Sequence, residues 1–408
     1  MTKIKIIISS SLLILFALNC SNDVEMPSGY EDLRRTDKGE VKVAYMKAEQ
    51  TASYWTYPAA GSRATVLLGE YDGLTSRAVI KFFDFQDLQA DSLLSAELML
   101  VQGHHYGAGD SFEVTMHPVI TNWQETRVVW PDLEAGFDPS VLTGKLTVSA
   151  VDSAILKSAL DIDLVKSWVA GEANEGIMLV PHNAGFIAEF FTTENGTKWP
   201  TLAVTARNGN NQVDTTVVGS YGYLAEASLL FNGSGIAEME LKRGGDRLTV
   251  GNGSGFRSLL RFDLSGIPIN ATINQAFLTL TVHSEGSRTR DFGLTLAASP
   301  VVSDSSWNPV TLLTDSLYSH PKAIALDSLV TFSLTNSTLY PSAIPELTGI
   351  VQRWTLNLYP NWGLVLRSAE PGLNPDQMSF YSGETDSTLA PELRVTYTTP
   401  PSPRFDVP

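Results

Sequence analysis

The feature that most constrains the fold of this chain is an internal repeat. Residues 257–264 resemble residues 77–84, which sets an offset of 257 − 77 = 180, and the same offset carries Leu98 onto Leu278. An internal repeat fixes the architecture, and two copies make a tandem rather than a solenoid. The sequence therefore predicts two similar domains, which agrees with a length of 408 residues and with a usual domain size of about 100–200 residues.

The repeated stretch has the alternation of a β-strand. Its second copy places Leu260, Phe262 and Leu264 on one face and Arg257, Leu259, Arg261 and Asp263 on the other. This period of two is typical of a strand that is packed on one side only. The apolar face and the basic position Lys81/Arg261 persist in both copies. We therefore interpret the stretch as scaffold and expect function to lie in loops that the copies do not share.

Many short alternating segments with Gly, Pro and Asn between them run through both copies, and helical periodicity is confined to residues 161–168 and their counterpart 350–354. This pattern predicts an all-β fold of two tandem, jelly-roll-like β-sandwich domains. The expected boundaries are residues 41–207 for the first sandwich, 208–219 for a linker, 220–398 for the second sandwich and 399–408 for a disordered tail.

The N-terminus has the organisation of an export signal. Lys3 and Lys5 precede an apolar run, residues 6–18, that is too short to span a bilayer comfortably, and Cys20 follows as the only cysteine of the chain. Residues 17–20 resemble the lipobox of bacterial lipoproteins. That resemblance implies a signal peptide over residues 1–19, a lipid on Cys20 and a flexible tether over 20–40. An ordinary secretory signal with an incidental cysteine is the alternative.

Composition restricts the partners. The formal net charge is −16, and a surface of this sign repels nucleic acid and anionic lipid. With one cysteine, no disulfide can form within the chain. We therefore expect no nucleic-acid partner. The resemblance of residues 17–20 to a lipobox implies that the lipid-anchored protein lies in the bacterial cell envelope, most simply at the outer membrane.

Several motifs in a fixed order resemble a known family. In the first copy they occupy residues 77–82, 95–98, 123–130 and 161–176, and the second copy shows them over 257–264, 268–280 and 351–363. Together they resemble the DNRLRE domain, also classed as carbohydrate-binding module family 96. The resemblance implies a non-catalytic β-sandwich that binds polysaccharide, with acidic glycans among the ligands. The second copy has Trp307-Asn308-Pro309 where the first has Glu125 and Trp130, which implies that one copy has lost binding.

Aromatic side chains are the natural candidates for a sugar site, because their faces pack against the C–H groups of a sugar ring. Tryptophans that recur at equivalent places, Trp123/Trp307 and Trp168/Trp354, are predicted to be core residues, and so is Trp130. The unmatched aromatics remain as candidate carbohydrate-binding residues: Trp55, Tyr57, Tyr106, Trp199 and Trp362.

We predict no metal site and no cofactor. His104 and His105 lie near Asp110, but neighbouring residues of an extended strand point in opposite directions, and no further ligand follows at a suitable spacing. A structural calcium ion is the open alternative, with Asp72, Asp161 and Asp163 as the acidic residues considered, although no calcium-loop motif contains them.

Three classes of function follow. The leading hypothesis is a lipid-anchored protein of the cell envelope that binds polysaccharide without catalysis. The alternative is a structural or adhesive surface lipoprotein that binds protein partners. A polysaccharide-degrading enzyme is the third class, although the sequence holds no nucleophile elbow, no zinc-binding His-Glu-x-x-His and no phosphate-binding glycine loop.

Overall fold

A computed structural model describes the protein over residues 39–219, 224–232, 237–288, 294–303, 305–314, 322–324, 330–332, 346–369, 372 and 374–401. The expected signal peptide, the lipidation residue Cys20 and nearly all of the tether lie outside the described residues. So does most of the expected C-terminal tail.

Within these residues the chain forms 23 strands and three α-helices. The strands are β1 (Glu40–Trp55), β2 (Ala60–Gly61), β3 (Thr65–Tyr71), β4 (Leu74–Phe82), β5 (Leu93–Gly107), β6 (Ser111–Pro118), β7 (Gly144–Ser149), β8 (Ile155–Leu160), β9 (Ile177–His182), β10 (Phe186–Phe191), β11 (Thr201–Arg207), β12 (Val213–Val218), β13 (Leu224–Asn232), β14 (Lys242–Arg243), β15 (Arg247–Gly251), β16 (Phe256–Phe262), β17 (Thr272–Leu280), β18 (Leu294–Pro300), β19 (Lys322–Ile324), β20 (Val330–Phe332), β21 (Leu364–Ser368), β22 (Gln377–Tyr381) and β23 (Glu392–Thr399). The helices are α1 (Trp130–Leu133), α2 (Ile162–Val169) and α3 (Glu346–Thr355).

The fold is all-β, as predicted. The first unit is a sheet with the order β10-β3-β4-β9-β6-β7-β8-β5-β11-β12, and β13 pairs with the other side of β4. Because β10 pairs with β3 and also with β5, this sheet closes on itself and becomes barrel-like. Strand pairs throughout are antiparallel, which lets successive strands follow one another through short turns.

The second unit repeats this arrangement in a more open form. Its main sheet has the order β19-β18-β21-β16-β1-β23-β17-β20, with β14 on the edge of β1, and β15 pairs with β22 separately. Strand β1 is long enough to serve both layers. Its first half pairs with β23 and its second half with β16, so it bends from one layer of the sandwich into the other.

The two units exchange their first strands. Strand β1, which begins the first sequence repeat, pairs with β16 and β23 of the second unit. Strand β13, which occupies the matching place in the second repeat, pairs with β4 of the first unit. The expected boundaries 41–207 and 220–398 therefore need correction. Among the described residues, unit one consists of 56–219 and 224–232, and unit two consists of 40–55 together with those between 237 and 400. The residue pattern of a strand specifies which of its faces is buried, but it does not specify which of two similar sheets the strand joins.

The expected linker over residues 208–219 also needs correction. Residues 208–211 form the predicted turn, in which the Asn208 side chain accepts hydrogen bonds from the backbone N–H groups of Asn210 and Gln212, each at 3.0 Å. The following residues form β12, which pairs with β11 along its whole length. Val218 at its end is buried in the core of unit one, and this contact holds the segment in the sheet.

Equivalent contacts confirm the alignment of the two repeats. Gly176 and Gly363 both have positive φ, and a Cβ atom on either would meet a strand carbonyl oxygen, that of Ile80 at 2.1 Å and that of Leu260 at 2.4 Å. Ile80 and Leu260 are 180 residues apart, which is the offset of the internal repeat. The two predicted helical segments are α2 and α3. Helix α2 lies within one residue of its expected bounds at both ends, whereas α3 begins four residues earlier than expected and ends one residue later.

Each unit has a core between its layers, with a smaller cluster on the outer face of one sheet. Trp168 and Trp354 belong to the two main cores, while Trp123 and Trp307 belong to the outer clusters, so all four are buried as predicted. The expectation that the repeated strand packs on one side only is wrong. Leu259 is fully buried in an outer cluster because the loop carrying Trp307 covers that face.

Candidate functional site

The exchanged strand β1 places the residues that follow it, 56–59, against unit two. We call these four residues the β1–β2 linker. A cleft lies along the contact between this linker and unit two. Its volume is about 340 Å³. It is lined by four linker residues and by residues of unit two: Thr56, Tyr57, Pro58, Ala59, Gly251, Gly255, Phe256, Arg257, Arg367 and Ser368. We call it the arginine cleft. Sites for small ligands are usually concave and combine apolar surface with a few polar groups that fix orientation. This cleft has both kinds of lining, with a larger polar share than is usual.

Two arginines lie side by side in the arginine cleft. Ser258 of β16 pairs with Leu366 of β21, and Arg257 and Arg367 each lie one residue beyond that pair on adjacent strands. Burial, and then the neighbouring positive charge of Arg257, lower the pKa of Arg367 below its usual value. Like charges on neighbouring strands are destabilising. An anionic ligand in the cleft relieves that repulsion, and a guanidinium group binds carboxylate or sulfate with two parallel hydrogen bonds.

Aromatic groups flank the arginines. Tyr57 and Phe256 line the cleft, and the ring of Tyr54 lies 6.0 Å from the Arg257 guanidinium carbon. Of the two predicted residues in this segment, Tyr57 contributes to the cleft, whereas Trp55 is only 3% exposed. The rings of Trp55 and Tyr57 form an edge-to-face contact with their centroids 4.8 Å apart, so Trp55 packs against Tyr57. Trp55 is therefore corrected from a ligand-stacking residue to a packing residue.

The linker is fixed in place by contacts to unit two. Glu238 accepts hydrogen bonds from the Thr56 hydroxyl group at 3.2 Å and from the Tyr57 backbone N–H at 3.3 Å. Gly255 has a φ of 62°, and a Cβ atom there would lie 1.9 Å from the Thr56 carbonyl oxygen. The close approach of the two backbones therefore requires glycine at position 255. Burial, then Glu238, raise the pKa of the Tyr57 hydroxyl group, which stays protonated at neutral pH and can donate a hydrogen bond.

The other predicted aromatic residues do not line this cleft. Tyr106 is 8% exposed and its hydroxyl group donates a hydrogen bond of 2.7 Å to buried Glu189, so it is corrected from a ligand-binding to a core residue. Trp199 is half-buried against the first core and donates from Nε1 to the Gly219 carbonyl oxygen at 2.8 Å. Trp362 is half-buried in an outer cluster, where its carbonyl oxygen accepts a hydrogen bond from Trp307. The five predicted residues do not form one site.

The structure also changes the account of the two histidines. His104 and His105 do not point to opposite sides: the Nδ1 atoms of both lie at hydrogen-bond distance from the two carboxylate oxygens of Asp152, at 3.0 and 2.8 Å. A register shift in the pairing of β5 with β10 occurs at this place, and such bulges re-aim side chains. Hydrogen bonds from His104 and His105 lower the pKa of Asp152. The contact ties the turn before β8 to strand β5.

One group of acidic residues comes together where β13 crosses unit one. Carboxylate oxygens of Glu125, Glu194 and Glu226 lie within 4.8 Å of one another. Among the residues that the structure describes, no other group of three or more acidic, His or Cys side chains is close enough to share a metal ion. Hard cations such as Ca²⁺ prefer oxygen ligands of this kind. Burial raises the pKa of Glu226 to about 7. Burial, and then the negative charge of Glu194, raise the pKa of Glu125.

The partners of Glu226 are protein groups. The backbone N–H and the hydroxyl group of Thr193 both donate to its carboxylate at 3.1 Å. Glu226 has no exposed surface, so it does not reach a polysaccharide bound outside.

The acidic residues considered for calcium are dispersed. Asp161 caps helix α2 by accepting the N–H of Asp163 at 3.0 Å, and Asp72 forms an ion pair with Arg288 of unit two. The Asp161 carboxylate therefore serves as a helix cap, and the Asp72 carboxylate serves in a contact between the units.

Sequence reasoning missed Arg257, Arg367 and Phe256. Arg257 was assigned to scaffold because it begins the repeated strand, and Arg367 lies 110 residues further along the chain. The one available signal was that Arg367 has no basic counterpart in the first repeat, where Val180 occupies the matching place on β9.

Neither a protein-family model nor a curated protein matches the chain. The resemblance to DNRLRE domains therefore stays a prediction from the motifs quoted above. In the described part of the chain, no helix is both long enough and apolar enough to cross a membrane.

Proposed function

We propose that this protein is a non-catalytic binder of acidic polysaccharide and that the arginine cleft is its binding site. The observation that carries the proposal is the pair Arg257 and Arg367, placed side by side beside Tyr57 in a cleft of about 340 Å³. A net charge of −16 opposes any anionic ligand, so a local pair of arginines is the means by which such a chain would hold a carboxylated sugar.

Each group has a role in this proposal. The two guanidinium groups bind the carboxylate of a uronate residue, and the ring of Tyr57 packs against the C–H face of the sugar. The proposed location is the cell envelope, with the chain held by a lipid on Cys20 and the resemblance to lipoprotein signals as its support.

Affinity electrophoresis through gels that contain polyuronate tests the site. We expect Arg257→Gln and Arg367→Gln each to weaken retention about tenfold, because each removes a charge-assisted pair of hydrogen bonds worth roughly 1.5–3 kcal/mol. Arg207→Gln is the matched control, since Arg207 is exposed at the end of β11 in unit one and bonds only to Asn211 among the contacts seen here. Retention of the double variant equal to that of the unchanged protein would contradict the proposal.

A further inference from the structure

A second cleft lies in unit two, at the end of the sandwich where the β16–β17 connection meets the loop after α3. Its volume is about 310 Å³, and its walls include Asp263, Leu264, Ile269, Trp354, Asn357 and Asn361. We call it the asparagine cleft. It shares no residue with the arginine cleft.

Comparison of the two repeats explains why this cleft exists. In unit one, the Leu88 N–H donates to the Phe85 carbonyl oxygen, and in unit two the Ile267 N–H donates to the Leu264 carbonyl oxygen. These turns match Phe85 with Leu264 at an offset of 179, one residue less than the offset of 180 in the preceding strand, because the connection after β16 is one residue shorter. In unit one the Phe85 ring packs against Trp168 with centroids 5.9 Å apart. In unit two the smaller Leu264 lies beside the matching Trp354, and the space is open.

The polar groups of the asparagine cleft are held in place. Hydrogen bonds from the Ser265 backbone N–H and hydroxyl group, both at 2.9 Å, lower the pKa of Asp263 and keep its carboxylate ionised. Asn361 donates from Nδ2 to the Phe262 carbonyl oxygen at 2.7 Å, whereas its buried Oδ1 atom has no hydrogen-bond partner. Asn357 has a φ of 53°, a left-handed conformation that asparagine tolerates better than most residues.

The charge and shape of the cleft restrict its ligand. None of the described residues that line it is basic, and Asp263 is acidic, so an anionic ligand is disfavoured. Leu264, Ile267 and Ile269 supply an apolar wall, and carboxylate and amide groups supply acceptors and donors beside it. A neutral sugar has the matching chemistry: an apolar C–H face and hydroxyl groups, which can form paired hydrogen bonds with one carboxylate.

We infer that the asparagine cleft is a subsite for a neutral sugar residue. The inference rests on the proposed function in that both concern glycan binding, but it concerns different residues and a different chemical class of sugar. Asp263 accepts hydrogen bonds from two hydroxyl groups, the Asn357 amide bonds a third, and Leu264 and Ile269 contact the C–H face.

Saturation-transfer-difference NMR on the full mature chain tests this inference, with D-glucose, D-galactose, D-mannose and L-rhamnose as separate probes and D-glucuronate as the anionic comparison. We expect transfer to at least one neutral sugar. Leu264→Phe restores the larger side chain that unit one has and fills the cleft, so it should weaken that binding at least about tenfold. Asp263→Asn should weaken it as well, because an amide accepts fewer hydrogen bonds than a carboxylate.

Asp246→Asn is the matched control for charge, since Asp246 is exposed elsewhere in unit two beside Arg247. Thermal unfolding of Leu264→Phe verifies that the variant is folded. Two outcomes overturn the inference: absence of transfer to all four neutral sugars, or transfer that persists unchanged in folded Leu264→Phe.

The two clefts are separable in the same experiment. The double variant Arg257→Gln/Arg367→Gln should lose retention on polyuronate and keep the neutral-sugar signal, whereas Leu264→Phe should do the reverse. Failure of the neutral-sugar signal with intact polyuronate retention refutes the asparagine cleft only, and the opposite result refutes the arginine cleft only.

Discussion

Ser53 and Ser258 lie opposite each other on neighbouring strands with their hydroxyl oxygens 3.1 Å apart, although they are separated by 205 positions in the sequence. Ser53 belongs to the strand that opens the first repeat and Ser258 to the repeated strand of the second. Their contact is a direct consequence of strand exchange, and it makes each unit dependent on a segment from the other half of the chain.

The first prediction uses this pair. In the variant Ser53→Cys/Ser258→Cys we expect a disulfide within one chain, because the two positions are directly paired and Cys20 is the only native cysteine. Closing so long a loop stabilises the folded chain by up to about 5 kcal/mol in the chain-entropy model. Non-reducing electrophoresis of the variant with Cys20 replaced by Ser should show a faster monomer. Crosslinked dimers would contradict exchange within one chain.

The second prediction concerns independent folding. A fragment over residues 57–232 contains all strands of unit one, including β13, and should unfold cooperatively. A fragment over 57–219 keeps the other strands of unit one, including β12, but lacks β13. This leaves one side of β4 open and removes a nine-residue strand pairing. We expect it to be far less stable, since a domain has only about 5–15 kcal/mol in total. Equal urea midpoints for the two fragments would show that the exchange is dispensable.

The third prediction concerns pH. The pKa of Glu226 is raised from 4.5 to about 7, chiefly by burial, so the folded protein binds this proton more tightly than the unfolded chain. The favourable contribution is complete below about pH 4.5 and is lost as the pH rises through about 7. At higher pH the cost reaches about 3 kcal/mol. Glu226→Gln should remove most of it and raise the free energy of unfolding at about pH 8.

The measurement is urea unfolding of Glu226→Gln and of the unchanged protein at about pH 5 and about pH 8. Glu113→Gln serves as the control, because Glu113 is exposed and pairs with exposed Lys145. Its effect should be less than about 1 kcal/mol at both pH values. If Glu226→Gln destabilises equally at the two pH values, burial does not govern this titration.

The fourth prediction compares two glycines with similar backbones. Gly176 and Gly171 have φ values of 85° and 90°, but a Cβ atom on Gly176 would lie 2.1 Å from the Ile80 carbonyl oxygen, whereas one on Gly171 would have nothing within 4 Å. Gly171→Ala should cost only the backbone strain of about 1 kcal/mol. Gly176→Ala adds a steric clash of about 1–3 kcal/mol. Thermal unfolding distinguishes them, and equal melting temperatures would contradict the assigned contact.

The fifth prediction is the response of the arginine cleft to salt. If Arg257 and Arg367 bind carboxylates at a partly exposed site, retention on polyuronate should fall steadily as sodium chloride is raised. The Debye length shortens from about 10 Å at 0.1 M to about 3 Å at 1 M, which screens such pairs. Retention that does not change with salt would point to a neutral, stacking mode of binding instead.

The sequence determined much of the architecture by its local patterns. The offset of 180 placed Ile80 on Leu260, and the glycine contacts of both units confirm it. Recurrence in both repeats identified Trp123 and Trp307 as core residues. These inferences succeeded because alternation along a strand, and repetition of the same alternation, are properties of neighbouring residues that require no knowledge of the partner strand.

Only the tertiary structure decided which unit receives β1, and with it the place of the arginine cleft. Two similar sheets offer similar edges to a strand of the right alternation, so the choice depends on the geometry of the linker and on packing across both units. Arg257 and Arg367 meet for the same reason, being far apart in sequence and adjacent only through strand pairing. Trp55 and Tyr57 are a further example. These two aromatic residues are two positions apart and are not distinguished by the sequence, but in the structure Trp55 is buried and packs against Tyr57, whereas Tyr57 lines the cleft.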